Sequence, residues 1–380
     1  ISIATKYKEY NRNNLISHSL LNRHVDLRSD FKRPNLYQNF SSNFFVENGF
    51  KSQKNTNNGS NVQVYYNHFF GWYGFEMELG GQNIYLVIDT LVPTTWVRAR
   101  GGDSYFNSSN ATSFYDSGKG YHDPFYRLDG EIVASDINIS GEKANNVFFN
   151  FINDYVPFPG AGVIGLGHNP SQGFPITNST PNPIVALYQQ KAIKNNLFSL
   201  YLPDEKGGLL TLGEIDTTLY TGNISYFSVK DKDLWEIDLD DVIVNGKNLG
   251  VKGHKITLDT GFPNILVSDE YSKKINELIE AKLLGLDYMI PCNTTANVSF
   301  VIGGVEYKIN SKDLATGIFT SDFRLPPDGW CMSAIYGVND TNTPWHFGGT
   351  FFRNIYAVFD YENSRVGLAQ AAPRNKTSLI

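Results

Sequence analysis

Two short strings with the same pattern, 170 residues apart, constrain this chain more than any other feature. Residues 85–93 are YLVIDTLVP, and residues 255–263 are KITLDTGFP. Each string places an Asp at the end of an apolar run, directly before a turn. One such carboxylate is ordinary, but two in matched frames indicate a shared site. Two carboxylates in contact cannot both ionise easily, so they hold one proton between them and can polarise a water molecule.

Further segments match one known family in the order in which that family has them. They are TWV at 95–97, GVIGLG at 162–167, LLTLGEID at 209–216, YTG at 220–222, WHFGGTFFR at 345–353, YAVFD at 356–360 and RVGLA at 365–369. Over roughly residues 62–370 the chain resembles the pepsin-like aspartic proteases. The resemblance implies an all-β, bilobal acid protease fold with a few short helices. We expect an N-terminal lobe at 59–228 with Asp89 and a C-terminal lobe at 229–380 with Asp259.

The resemblance also assigns roles to individual residues. Asp89 and Asp259 would be the catalytic pair, and Thr90 and Thr260 would cross-brace the two loops by hydrogen bonds. Three further residues would support the site, namely Gly261, Trp96 and Tyr126.

Three residues of the two loops depart from the family's pattern. Leu91 stands where Gly is expected, and Val92 and Phe262 stand where a hydroxyl residue is expected. Leu91 would crowd or tilt Asp89. Because a hydroxyl donor stabilises the charged carboxylate, its loss in both loops predicts raised pKa values for the pair.

The hairpin that covers the cleft in this family is also altered. Residues 129–133 are typical of its returning strand, which puts Asp123 and Pro124 at the usual Tyr-Gly position. A shortened hairpin would bring Tyr126 over the two carboxylates. Packing of this Tyr at the surface is the alternative.

Charge is unevenly distributed along the chain. Residues 1–58 have a balance of +5 and the remainder −11. A basic arm on an acidic body can be held by electrostatic attraction and lost when the acids are protonated. Residues 1–58 are therefore interpreted either as a prosegment that inhibits the cleft or as a solvated arm, joined by a polar linker at 51–62. The acidic body argues against nucleic acid as a partner.

Cysteines and glycosylation signals indicate the secretory route. The two cysteines, Cys292 and Cys331, predict one disulfide. The Asn-x-Ser/Thr signals begin at Asn39, Asn58, Asn107, Asn110, Asn138, Asn178, Asn223, Asn293, Asn297, Asn339 and Asn375. Together they favour a secreted glycoprotein or one of an acidic vesicular compartment.

Other chemistries find no support in the sequence. The seven His show no HExxH spacing, so no metal is expected. Residues 160–165 match GxGxxG but lack a βαβ frame, so no nucleotide cofactor is expected either. No apolar run is long enough to span a membrane.

Helical patterns are scarce. Residues 182–191 predict one helix with Asn182 as its N-cap, and residues 268–284 predict another with Ser268 as its cap. Together these features favour an aspartic endopeptidase that acts on polypeptides and that, in the prosegment interpretation, is inhibited by its own N-terminal segment. The alternative is a catalytically inactive, pepsin-like glycoprotein with a binding or structural role.

Overall fold

The computed structural model describes residues 60–67, 71–100, 104–123, 126–153, 160–168, 182–231, 233–285, 287–316, 327–339 and 344–373. Most of these residues lie in strands, and the predicted all-β fold with few short helices is confirmed. The predicted basic arm, residues 1–58, lies outside the described residues.

The first half of the chain is built almost entirely from strands. Alternation of apolar and polar residues explains them: Phe75, Met77 and Leu79 are buried, whereas the intervening Glu76 and Glu78 are partly exposed. The strands are β1 (Ser60–Asn67), β2 (Trp72–Leu79), β3 (Gln82–Asp89), β4 (Trp96–Arg98), β5 (Tyr115–His122), β6 (Asp129–Ile139), β7 (Glu142–Ile152), β8 (Gly162–Gly165), β9 (Leu197–Asp204), β10 (Gly207–Leu212) and β11 (Tyr220–Ser228).

The second half has shorter strands in several sheets. They are β12 (Glu236–Leu239), β13 (Asp241–Val244), β14 (Lys247–Asn248), β15 (His254–Leu258), β16 (Ile265–Ser268), β17 (Lys282–Leu284), β18 (Asp287–Pro291), β19 (Val298–Ile302), β20 (Val305–Ile309), β21 (Ala315–Thr316), β22 (Trp330–Ser333), β23 (Ile335–Val338), β24 (Trp345–Phe347), β25 (Ile355–Asp360) and β26 (Arg365–Ala371). The helices of the described chain are α1 (Pro183–Gln189), α2 (Asp269–Leu278) and α3 (Gly349–Phe352), with 3₁₀ turns at Ser108–Asn110 and Ser311–Leu314.

The largest sheet joins the two ends of the chain. Its order is β11-β26-β25-β9-β10-β1-β2-β3-β8-β4-β7-β6-β5. Strands β25 and β26 therefore return from the C-terminal end to pair with β9 and β11. This long-range pairing clamps the two halves together. The lobe boundary at 228/229 stays a prediction.

The sequence repeat is also a structural repeat. Strand β3 runs parallel to β8, which is antiparallel to β4. In the same way β15 runs parallel to β24, which is antiparallel to β16. Each half therefore presents the C-terminal end of one strand, with its Asp, beside a neighbouring strand.

The two helix predictions had different outcomes. The first is confirmed, since the Asn182 side chain accepts hydrogen bonds from the backbone amides of Ile184 at 2.9 Å and Val185 at 3.3 Å. The second begins where it was predicted, with Ser268 at the N-cap position, but its C-terminal end is wrong. Helix α2 stops at Leu278, and Ser268 makes no side-chain capping bond.

The predicted disulfide between Cys292 and Cys331 is present beside the β18–β22 pair.

Candidate active site

Both carboxylates leave the sheet at the same point of the repeated strand pair. Asp89 is the last residue of β3, and its carbonyl oxygen accepts a bond from the Leu166 amide at 2.8 Å. Asp259 directly follows β15, and its amide donates to the Phe347 carbonyl oxygen at 3.1 Å. The backbones of both loops are thus fixed by the strands beside them.

Thr90 and Thr260 connect the two loops by four reciprocal hydrogen bonds. The hydroxyl of Thr90 donates to the Leu258 carbonyl at 2.7 Å, and that of Thr260 donates to the Ile88 carbonyl at 2.8 Å. Each hydroxyl also accepts the backbone amide of the other Thr, at 3.1 and 3.0 Å. Both side chains are fully buried. This geometry holds the loops of Asp89 and Asp259 in a fixed relative position.

Replacing one of these threonines with its apolar isostere tests the brace. In Thr260→Val the buried Thr90 amide and Ile88 carbonyl lose their partners. Because each orphaned buried group costs about 1–3 kcal/mol, we expect the free energy of unfolding to fall by roughly 2–4 kcal/mol in urea titrations. The exposed Thr221→Val is the control, with an expected change below about 0.5 kcal/mol. An equally small change in Thr260→Val would contradict the brace.

The Asp89 carboxylate has hydrogen-bond donors at both oxygens. The amides of Leu91 and Val92 donate to Oδ1 at 2.8 and 3.2 Å. The Tyr126 hydroxyl donates to Oδ2 at 2.7 Å. The departures at 91 and 92 therefore leave the main-chain donors in place, and both side chains are buried.

Tyr126 reaches Asp89 from the connection between β5 and β6. Asp123 organises that connection: its carboxylate accepts the Thr94 hydroxyl and the Tyr126 amide, each at 2.7 Å. The Tyr126 ring packs edge-on against Trp96, with ring centroids 5.5 Å apart. The structure thus brings together two of the predicted supporting residues. Pro124 lies outside the described residues.

Gly261 is required by the close approach of the two loops. A Cβ atom at this position would lie 2.5 Å from Oδ2 of Asp89 and 2.7 Å from its Cγ. Those distances are shorter than van der Waals contact. The second loop therefore lies directly against the carboxylate of the first.

Burial and charge change the acidity of Asp89. Its side chain is nearly inaccessible, and burial is the largest cause that raises its pKa, followed by the negative charge of Asp259. The bonds from Tyr126, Leu91 and Val92 lower it, and the net effect raises the pKa of Asp89 from 3.8 to about 7. The upward direction agrees with the sequence prediction, but burial rather than a missing hydroxyl is the main cause.

Asp259 has a partner that the sequence analysis did not assign. Its Oδ2 lies 2.9 Å from Nδ1 of His346, and both side chains are largely buried. Its Oδ1 is buried without a hydrogen-bond partner among the described residues. A signal for His346 exists in the repeat. Val163 lies two residues before Gly165, the last residue of GVIG. His346 lies two residues before Gly348, the last residue of WHFG, and so occupies the equivalent position of the repeat.

The described part of the chain has neither a metal-binding cluster nor a membrane-spanning helix. Within it, no group of three or more His, Cys, Asp or Glu side chains is arranged to bind a metal ion. None of its helices has the length and apolar character needed to cross a bilayer.

Comparison with known proteins identifies the family. The model of the eukaryotic aspartyl protease family matches residues 73–371, which is most of the chain. The chain therefore belongs to the eukaryotic aspartyl protease family. This confirms the resemblance seen in the sequence and agrees with the two-lobed fold.

Individual relatives agree with this assignment. A probable aspartic-type endopeptidase CTSD of Trichophyton verrucosum is 29% identical over 318 residues, covering 78% of this chain and 60% of the relative. Gastricsin of Oryctolagus cuniculus is 28% identical over 333 residues, covering 78% and 81%. Cathepsin D of Homo sapiens is 33% identical over 198 residues, covering 49% and 47%. The chain spans about three-fifths of the length of the CTSD proteins that it matches.

Proposed function

We propose that this chain is an aspartic endopeptidase that hydrolyses peptide bonds with a water molecule activated between Asp89 and Asp259. The observation that carries the proposal is the pairing of two buried carboxylates at matched strand ends, connected through the Thr90–Thr260 brace. The charge of Asp259 raises the pKa of Asp89, so the two groups interact electrostatically.

The chemistry follows from one proton on the pair. The ionised carboxylate accepts a proton from water as the water oxygen attacks the peptide carbonyl carbon, and the protonated carboxyl donates to the carbonyl oxygen. When the C–N bond breaks, the leaving nitrogen takes the proton that came from water. The carbonyl re-forms and returns its proton to the other carboxylate. No covalent enzyme intermediate is needed.

Tyr126 and Trp96 support substrate binding in this proposal. The Tyr126 hydroxyl is at hydrogen-bond distance from Asp89, and its ring contacts Trp96. Together the two rings form an apolar surface beside the reacting atoms, and the Tyr126 hydroxyl is the one hydrogen-bond donor on it. Such a surface favours extended polypeptides with apolar side chains around the cleaved bond.

The charge distribution supports a zymogen. The balance of +5 in residues 1–58 and −11 in the rest gives an attraction that weakens as carboxylates are protonated. In this proposal residues 1–58 cover the cleft at neutral pH and are removed near residues 51–62 in acid.

Two features support a secretory or acidic vesicular location. The disulfide between Cys292 and Cys331 is typical of oxidising compartments. Among the described residues, five of the glycosylation signals have an exposed Asn, namely Asn110, Asn223, Asn293, Asn297 and Asn339.

One observation favours the inactive alternative. The hydroxyl of Tyr126 binds Oδ2 of Asp89 directly, and Leu91 fills the position where the family has Gly. If these side chains exclude water from the carboxylates, the fold would serve as a glycosylated binding module.

Digestion of an unfolded protein distinguishes the two functions. The purified full chain is incubated from pH 3 to pH 6 with reduced, alkylated casein, and the fragments and its own N-terminus are identified by mass spectrometry. We expect cleavage between apolar residues, new N-termini near residues 51–62, and inhibition of both by a statine peptide. Absence of both casein cleavage and self-shortening at every pH would favour the inactive alternative.

A further inference from the structure

The two carboxylates of the site differ in their partners. Oδ2 of Asp89 accepts a neutral Tyr126 hydroxyl, whereas Oδ2 of Asp259 faces an imidazole nitrogen of His346 at 2.9 Å. The His346 and Asp259 side chains are only 13% and 6% exposed. A charge-assisted bond in such a buried place is less screened than one at the surface.

The strand register shows that this asymmetry departs from the internal repeat. Val87 pairs with Val163 two residues before Asp89, and Thr257 pairs with His346 two residues before Asp259. Val163 is buried in an apolar cluster with Val87 and Trp96. One half of the repeat thus has a hydrocarbon where the other has a titratable ring bonded to the carboxylate.

We propose that His346 is a positioning residue that assigns different roles to the two carboxylates. It holds Asp259 in the ionised form and fixes the direction of its Oδ2, so that Asp259 accepts the proton from water while Asp89 keeps the shared proton. This inference rests on the proposed function.

Two observations support the assignment of roles. Asp259 Oδ1 is buried and has no hydrogen-bond partner among the described residues, so it is available to a water molecule. Asp89 has the neutral Tyr126 hydroxyl as its side-chain partner, and burial together with the Asp259 charge raises its pKa, so Asp89 is the member without an imidazole to stabilise its charge. The balance is then complete: water gives its proton to Asp259, and Asp89 gives its own to the peptide carbonyl oxygen.

The strand register of the described residues places the ionisable groups around His346. On the two neighbouring strands His346 pairs with Thr257 and Leu266. One strand further out on each side, Thr257 pairs with Glu236 and Leu266 pairs with Tyr336. Glu236 is itself bonded to Lys255. From the loops His346 faces Asp259 and, through that carboxylate, Asp89 and Tyr126. Within that set Asp259 is the group at bonding distance.

The charge of the imidazolium has a definite effect on the pH profile. In its protonated form the His346 ring would place a cation beside Asp259, 2.9 Å from Oδ2. A cation lowers the pKa of a neighbouring carboxylate and keeps it ionised in more acid solution. His346 therefore extends the acid limb of activity to lower pH.

Two substitutions separate the charge from the hydrogen bond. His346→Asn keeps a neutral N–H donor near the position of Nδ1, and His346→Val introduces the residue of the other repeat. We expect the acid limb of kcat/KM to move up by about half a pH unit or more in His346→Asn and about one or more in His346→Val. At pH 5 we expect kcat of His346→Val to fall about 10- to 100-fold, with KM changed less than threefold.

The control is His254→Asn, a second imidazole of the same sheet, which packs on Trp345 with ring centroids 4.8 Å apart. Its acid limb should coincide with that of the wild type. If the profiles of both His346 variants superimpose on the wild type after scaling, whatever their height, His346 has only a structural role and the proposal is overturned.

A readout without catalysis keeps this test separate from the proposed function. Titration of the His346 ring by NMR in the full chain should show a midpoint at least half a pH unit higher than in Asp259→Asn. Equal midpoints would overturn the pairing even if the enzyme is active. A shifted midpoint in a chain that cleaves nothing would refute the proposed function while leaving the His346–Asp259 pairing in place.

Discussion

Asp89→Asn and Asp259→Asn should each lower kcat by about 10³-fold or more, and the double variant should lose no more than either single one. An Asn side chain keeps the shape of the carboxyl but neither accepts the proton from water nor donates one to the carbonyl oxygen. General acid–base groups of this kind contribute about 10²–10⁴ in rate. Because the two carboxylates act as one unit, their losses should not add. The measurement is cleavage of a fluorogenic peptide under saturation.

The control for these two variants is the same Asp→Asn change at a carboxylate outside the site. Asp238→Asn removes one carboxylate whose side chain is 55% exposed and is paired with Lys230 at the surface. We expect its kcat to stay within twofold of the wild type. Retention of more than about a tenth of the activity in either active-site variant would exclude the two-carboxylate mechanism.

Local patterns predicted the parts of the fold that depend on neighbours in sequence. The Asn182 cap precedes a Pro and an apolar run, and all these features agree on α1. At residues 268–284 the pattern misled, because Leu283 and Leu284 continue an apolar spacing but are 59% and 54% exposed on β17. The helix ends before Glu280, which has a left-handed φ of 61°. Pairing of β17 with β18, which is not evident from sequence, determines that boundary.

The site was predictable where the repeat is exact and not where it is broken. Asp89, Thr90, Asp259 and Thr260 lie in matched frames, and their reciprocal bonds follow from that symmetry. His346 is missed because its importance depends on a parallel strand 87 residues further along the chain than Asp259.

The contact of Tyr126 with Asp89 was hard to predict from sequence for a different reason. The hairpin between β5 and β6 has Asp123 and Pro124 where the family's Tyr-Gly pair is expected, so counting residues could not fix which side chain lies over the carboxylates. Its position depends on Asp123, which binds both the Thr94 hydroxyl and the Tyr126 amide. A buried Asp at a hairpin tip is a sequence signal only when its partner is known.

The free energy of unfolding should fall as the pH rises from about 4 to about 7, and Asp89→Asn should lose much of that dependence. Burial and the charge of Asp259 raise the pKa of Asp89 to about 7 in the folded chain, against 3.8 for the free group. Between those values the folded chain holds a proton that the unfolded chain releases. Stability is therefore greatest below pH 4 for this group and declines until the folded carboxyl ionises.

The size of this effect is large for one side chain. A shift of one pKa unit corresponds to about 1.4 kcal/mol, so the rise from 3.8 to about 7 makes the decline attributable to Asp89 on the order of 4 kcal/mol across the window. Urea unfolding at half-unit steps of pH, for wild type and Asp89→Asn, gives a difference curve that isolates it. In Asp238→Asn, whose carboxylate is largely exposed, the corresponding difference curve should be flat within about 0.5 kcal/mol. Parallel wild-type and Asp89→Asn curves would mean that Asp89 titrates as an ordinary surface acid, which is incompatible with a carboxyl enclosed by Gly261, Tyr126 and the Asp259 charge.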